Sequence, residues 1–144
     1  MGQVRTDAQG PETTRIRTRP LSPHLQVWRW HVTMLTSILH RITGCALYFA
    51  GLLAAVWAMA LAGGPETYAM FLGIMGAWYG KVVLLGFSGA LFFHLGNGVR
   101  HIIWDFGHGL SKEDASSSSF AVLGFAIAAT GAVVAIAYMM GLVI

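Results

Sequence analysis

The sequence predicts an all-α integral membrane protein with three transmembrane helices, its N-terminus cytoplasmic and its C-terminus on the outer, periplasmic side. Three observations predict this. Hydrophobic residues make up 56% of the 144 positions and charged residues only 10%, too few polar groups to clothe a soluble domain of this size. Three stretches run for the length of a bilayer core with hardly a charge. The basic residues also gather on one side: with the N-terminus inside, Arg5, Arg15, Arg17, Arg19, Arg29, Arg41, Arg100 and Lys112 lie on or near the inner side, and Lys81 on the outer, the positive-inside pattern. The net charge of +3 comes largely from the early arginines, so it reads as topology and not as nucleic-acid binding.

Residues 1–29 form a polar tail rich in arginine and threonine. The tail has no apolar core of the secretory-signal kind. Asp7 and Glu12 argue against a mitochondrial transit peptide, so a cytoplasmic tail, and with it the bacterial inner membrane in preference to the mitochondrial one, is the reading adopted. Residues 30–144 make up the three-helix anchor domain. Its first span is expected at about 32–62, because residues 42–62 carry no charge and the helical pattern starts earlier. Ser37, His40 and Arg41 then fall in its first turns, at the headgroup edge. GGPE (63–66) breaks the helix. Residues 67–80 are apolar, aromatic and glycine-bearing, and are expected to form an interfacial helix or an extension of the second span, with Trp78 and Tyr79 beside Lys81 as interface anchors. The second span is expected at 81–105. DFGHGLSKEDASSSS (105–119) reads as a loop, and uncharged residues 120–144 as the third span. Small residues four apart, such as Gly76 and Gly80, suit close helix approach.

The single cysteine, Cys45, excludes an intrachain disulfide, a four-cysteine zinc site and an iron–sulfur cluster. There is no CxxCH, Walker loop or GxGxxG. An electron carrier in this chain would be non-covalent, and its electrons would come from another polypeptide.

Ionisable groups inside a span are costly and demand a reason. HLGNGVRH (94–101) carries several. Seven helical residues turn through about 700°, so His94 and His101 share a face, about 10 Å apart along the axis. Gly98 lies one turn from His94 on that face and leaves a flat gap. His94 sits near mid-bilayer, where a neutral imidazole can ligate haem iron. Haem propionates would reach toward the level of Arg100 and His101, and His40 and Arg41 of the first span lie at a similar level. Cations there would offset two carboxylates in an apolar setting. With one well-placed mid-membrane histidine, the second axial ligand of a six-coordinate b-type haem is expected from another subunit, the haem lying between the two. Ser37 and Arg41, at i and i+4, present a hydroxyl and a guanidinium at the membrane edge. These suit a quinone carbonyl, which accepts hydrogen bonds and gains negative charge on reduction.

Plainer readings stand beside these. Ser37 can bond its own i−4 carbonyl, and Arg41 and Arg100 can be snorkelling anchors. His101 and His108 lie near the surface, and His24 and His31 lie outside the span. Asp105 opposes the dipole at its helix end, which a pairing with Arg100 or a partner's cation would explain.

RPLSPHL (19–25), SILHRITG (37–44) and HLGNGVRHIIWDFG (94–107) together resemble the larger membrane-anchor subunit, the cytochrome b subunit, of succinate:quinone oxidoreductase (respiratory complex II). The resemblance runs in order from about residue 19 to the end, and the first 18 residues fall outside it. It implies that His94 is the axial haem ligand, that His40, Arg41 and His101 lie near the propionates, and that Ser37 and Arg41 belong to a ubiquinone pocket walled by Met34 and Ile38. It implies a flavoprotein subunit, an iron–sulfur subunit and a smaller anchor that supplies the second haem histidine. Succinate oxidation itself would lie outside this chain, which has no flavin site. Two other readings remain open: the same scaffold run as a quinol:fumarate reductase, and a non-redox anchor or small transporter, against which the lack of internal repeats argues.

Overall fold

The computed structural model describes residues 28–141. Residues 1–27, including the block at 19–25 and most of the expected tail, and residues 142–144 lie outside the described residues. Within the described part the chain is helical throughout, with no strand: α1 (Val32–Ala62), α2 (Pro65–Gly76), α3 (Trp78–Asp105) and α4 (Lys112–Met139). α1, α3 and α4 are each long and apolar enough to cross a membrane. At about 1.5 Å per residue even the shorter two reach about 42 Å, against a hydrocarbon core of about 30 Å, so their polar ends lie in the headgroup zones.

α1 starts at His31, whose ring nitrogen accepts from the Thr33 N–H as an N-cap. It stops at Gly63 and Gly64, and Pro65 opens α2 at a position where its missing N–H costs nothing. The Thr67 hydroxyl ties the corner by donating to the Ala60 and Gly64 carbonyls at 3.0 and 2.9 Å. The segment expected as an interfacial helix or an extension of the second span is a separate short helix, because Ala77 takes an extended conformation that ends α2. The bend is tight: a Cβ on Gly80 would lie 2.5 Å from the Met75 Cα and carbonyl oxygen. α3 consequently starts at Trp78, ahead of Lys81.

α3 closes with a glycine motif. Gly107 has φ +79, its N–H reaches the Trp104 carbonyl at 2.8 Å, and the His108 N–H reaches that of Ile103 at 3.2 Å. The loop expected at 105–119 is confined to 106–111, and the rest is helical. α4 begins at Lys112, well before the uncharged stretch at 120, because Ser111 caps the Asp114 N–H at 3.0 Å and Glu113 and Asp114 occupy the first turn, where anions suit the dipole. The serines expected to loop out bond the helix backbone: Ser116 donates to Lys112, and Ser118 and Ser119 to Ala115, at 2.9, 3.2 and 2.7 Å. α4 ends at Met139, capped by Met140.

α3 runs through the middle, packing on α4 and α1, while α2 fills the corner between α1 and α3. Phe93, Val122 and Ala126 are the buried apolar centre, with Leu39, Phe92 and Leu123 packed against them. Gly96 lets the helices close, since a Cβ there would come within 3.1 Å of the Phe125 ring. The start of α1, the end of α3 and the start of α4 meet at one end of the bundle, and that end is polar.

Candidate functional site

His40, His94 and His101 come together at the polar end. The His40 and His94 rings stack with centroids 4.0 Å apart and planes 12° apart, and the His101 ring lies 5.1 Å from that of His40. Their meeting follows from two helical spacings. His94 and His101 share a strip of α3, and α1 turns His40 toward it. Gly44, one turn on from His40, makes room: a Cβ there would lie 3.2 Å from His94 Cε1.

His94 is half-buried and held through one nitrogen. Its Nδ1 lies 3.3 Å from the His40 carbonyl oxygen and 3.4 Å from Thr43 Oγ1. The Thr43 hydroxyl itself donates to the Leu39 and His40 carbonyls at 2.8 and 3.1 Å. A proton on Nδ1 is therefore directed at a carbonyl, which leaves the Nε2 lone pair free for a ligand; this is how metal-binding histidines are commonly oriented. Nε2 makes no hydrogen bond among the described residues. One turn along, Gly98 faces open space, with no atom within 4 Å of where a Cβ would be. His40 Nδ1 is buried with no hydrogen-bond partner.

Ser37, Ile38 and Arg41 are exposed on the outer face of α1, and Met34 is half-buried beside them. The Ser37 hydroxyl makes no bond to its own helix among the described residues, unlike Thr36 and Thr43, so it is available to an outside acceptor.

The structure does not bring Arg100 into the histidine group. Its side chain is 5% exposed and turned between α1 and α4, where it donates to Ser118 Oγ, Thr36 Oγ1, Asn97 Oδ1 and the Ala115 carbonyl. Asp105 is exposed and is not among its partners. Sequence reasoning passed over Thr43 and Gly44, which hold and seat His94, and Thr36, Asn97, Ser118 and Ser119, which surround Arg100. A signal existed for two of them: Thr43 and Gly44 stand three and four residues after His40, on its strip of α1. A groove of about 430 Å³ lined by Leu53, Trp57, Phe71, Met75 and Phe87 lies toward the other end of the bundle and is apolar.

Residues 15–133 match the family model described as succinate dehydrogenase/fumarate reductase transmembrane subunit. The chain is 42% identical over 105 residues to the succinate dehydrogenase cytochrome b556 subunit of Paracoccus denitrificans, covering 73% of this chain and 81% of that one. It is 37% identical over 105 residues to the b556 subunit of Rickettsia felis, covering 73% and 82%. Against the mitochondrial cytochrome b560 subunit of Mus musculus it is 37% identical over 123 residues, covering 82% and 71%.

Proposed function

Because this chain belongs to the succinate dehydrogenase/fumarate reductase transmembrane subunit family, we propose that it binds haem b through His94 and forms part of the site where ubiquinone is reduced. Its three apolar helices and its bacterial b556-type relatives make it a multi-pass protein of the bacterial inner membrane. In this reading it docks a flavoprotein and an iron–sulfur subunit at the polar end of the bundle, on the cytoplasmic side, and a second small anchor completes the haem site. The names of the relatives favour electron flow from succinate to quinone over fumarate reduction, and family membership favours a redox anchor over a transporter.

One observation carries the haem assignment. His94 is oriented through Nδ1, its Nε2 is free, and the open surface at Gly98 lies one turn away on the same face. The residues present fit a flat macrocycle with an axial imidazole. His40 and His101 would serve the propionates, and the unpartnered His40 Nδ1 would offer a donor or acceptor to them. Bound haem would supply a one-electron redox centre. Ser37 and Arg41 would hold the quinone carbonyl: the hydroxyl donates a hydrogen bond and the guanidinium stabilises the negative charge that builds on reduction. Met34 and Ile38 would wall the ring. Protons for the quinol would enter from the nearby aqueous side.

The test is a dithionite-reduced minus oxidised spectrum of the purified complex, wild type against His94→Ala. A b-type band in the wild type and its loss in the variant are expected. An intact wild-type complex without that band overturns the haem assignment.

A further inference from the structure

Arg100 is a buried cation whose four acceptors are all neutral oxygens. Its Nε donates to Ser118 Oγ at 2.9 Å, one terminal nitrogen to Thr36 Oγ1 at 3.2 Å and Asn97 Oδ1 at 3.1 Å, and the other to the Ala115 carbonyl at 2.9 Å. The guanidinium carbon lies 4.0 Å above the Trp104 ring. Thr36, Asn97 and Ser119 are fully buried. Thr36 Oγ1 lies 3.4 Å from Ser119 Oγ and donates to the Thr33 carbonyl at 3.0 Å. One planar group thus holds α1, α3 and α4 in directed contact, and a fork of fixed geometry fixes register better than a point charge would. The acceptors leave a single guanidinium N–H for anything else.

We infer that Arg100 is a positioning residue which fixes the register of α1 against α3, and through it the seating of His40 on His94, and that it holds neither a haem carboxylate nor a quinone. The inference rests on the proposal that His94 lies in a haem site. Thr36 is one turn before His40 on the same strip of α1, Asn97 is three residues after His94, and Arg100 directly precedes His101. Staple and histidines occupy the same few turns of the same two helices. Slippage of Thr36 against Arg100 is transmitted through rigid helix to the 4.0 Å stack and to the bond between His94 Nδ1 and the His40 carbonyl, the contact that orients the ligand.

The experiment compares variants of the purified whole complex. Thr36→Val keeps the shape and the guanidinium but removes its acceptor on α1. Thr36→Ser keeps the acceptor. Ser118→Ala is a milder cut on the α4 side. Arg100→Gln removes the cation. For each, haem content, the haem midpoint potential and the electron paramagnetic resonance of the ferric haem are measured, with KM and kcat for quinone. Thr36→Val and Ser118→Ala are expected to shift the potential and the resonance in the same direction as Arg100→Gln, with Thr36→Ser restoring wild-type values. Arg100→Gln combined with Thr36→Val is expected to shift no further than Arg100→Gln alone, as for two ends of one contact. Wild-type haem signals in Thr36→Val and Ser118→Ala, beside altered ones in Arg100→Gln, overturn the inference and return Arg100 to direct contact with the haem. Wild-type signals in all variants overturn it as well. Should Thr36→Val fail to assemble, Ser118→Ala decides by the same criterion. A wild-type complex without haem is a different failure, that of the haem assignment itself.

Discussion

At the scale of single residues, angular position on α3 separates His94 from Arg100. His94 and His101 are nearly two full turns apart and share a face, whereas Arg100, six residues on, points about 120° away from that face. Level along the axis alone suggested a cation beside the propionates. The angle was legible, but the partners it would find on α4 were not, because they come from a segment that reads as loop. Gly98 offers the sharpest test of the haem slot. A Cβ there meets nothing within 4 Å beyond the backbone of its own helix, among the described residues, so Gly98→Leu is expected to leave the bundle intact. Filling a slot meant for a ligand costs about 1–3 kcal/mol, which lowers haem affinity about 5- to 150-fold; haem-to-protein ratio after titration with haemin reads this directly. Ser37 and Arg41 belong to a second test. Losing a hydrogen bond to a group that carries charge costs about 1.5–3 kcal/mol, so Ser37→Ala and Arg41→Gln are each expected to lower kcat/KM for ubiquinone about 10- to 150-fold. Succinate oxidation with a soluble dye as acceptor, which bypasses the quinone, is expected to stay at the wild-type rate.

At the scale of elements, hydropathy located the three spans but not their polar ends. A run of four serines after two acids looks like a loop by composition, yet Ser111 starts a helix there and the serines turn their hydroxyls to its backbone. Helix N-termini favour this mixture of serine and acid, and that capping signal, set against the absence of apolar residues, is what wins. α2 was ambiguous for a different reason. Its residues are as apolar as those of a span, and the break before α3 comes from the backbone conformation of Ala77 and the room left by Gly80, which periodicity does not report. The turn between α3 and α4 rests on two local devices. Gly107 at φ +79 would have to become a left-handed alanine in Gly107→Ala, at a cost of about 1–2 kcal/mol. Ser111→Ala removes a cap worth about 1 kcal/mol. Both variants are expected to lower the thermal midpoint of the detergent-solubilised complex, and Gly107→Ala more; an unchanged midpoint in both would mean that packing on the partners, and not this turn, limits stability.

At the scale of the whole molecule, most large apolar side chains of the described residues face outward, and Ala90, Phe93, Val122 and Ala126 are the buried apolar ones. Lipid and partner subunits are therefore the solvent this bundle is built for, and its internal order comes from close helix approach and from the polar staple at one end. That end also carries the histidines and the Ser37–Arg41 face, together with Arg29 and Lys112, whereas Lys81 stands near the other end. The positive-inside bias predicts which compartment the site faces: α1 is expected to enter from the cytoplasm, with the α1–α2 corner at Gly64 periplasmic, the turn at Gly109 cytoplasmic and the end of α4 periplasmic. Alkaline phosphatase fused after Gly64 or after Ile144 is expected to be active, and fused after Gly109 inactive, with green fluorescent protein giving the opposite pattern at each site. The reverse pattern would put Ser37, Arg41 and the histidines on the periplasmic side. Electrons from a cytoplasmic iron–sulfur subunit would then have to cross the length of α3 to reach them, and the quinone site proposed at Ser37 and Arg41 would have to be given up.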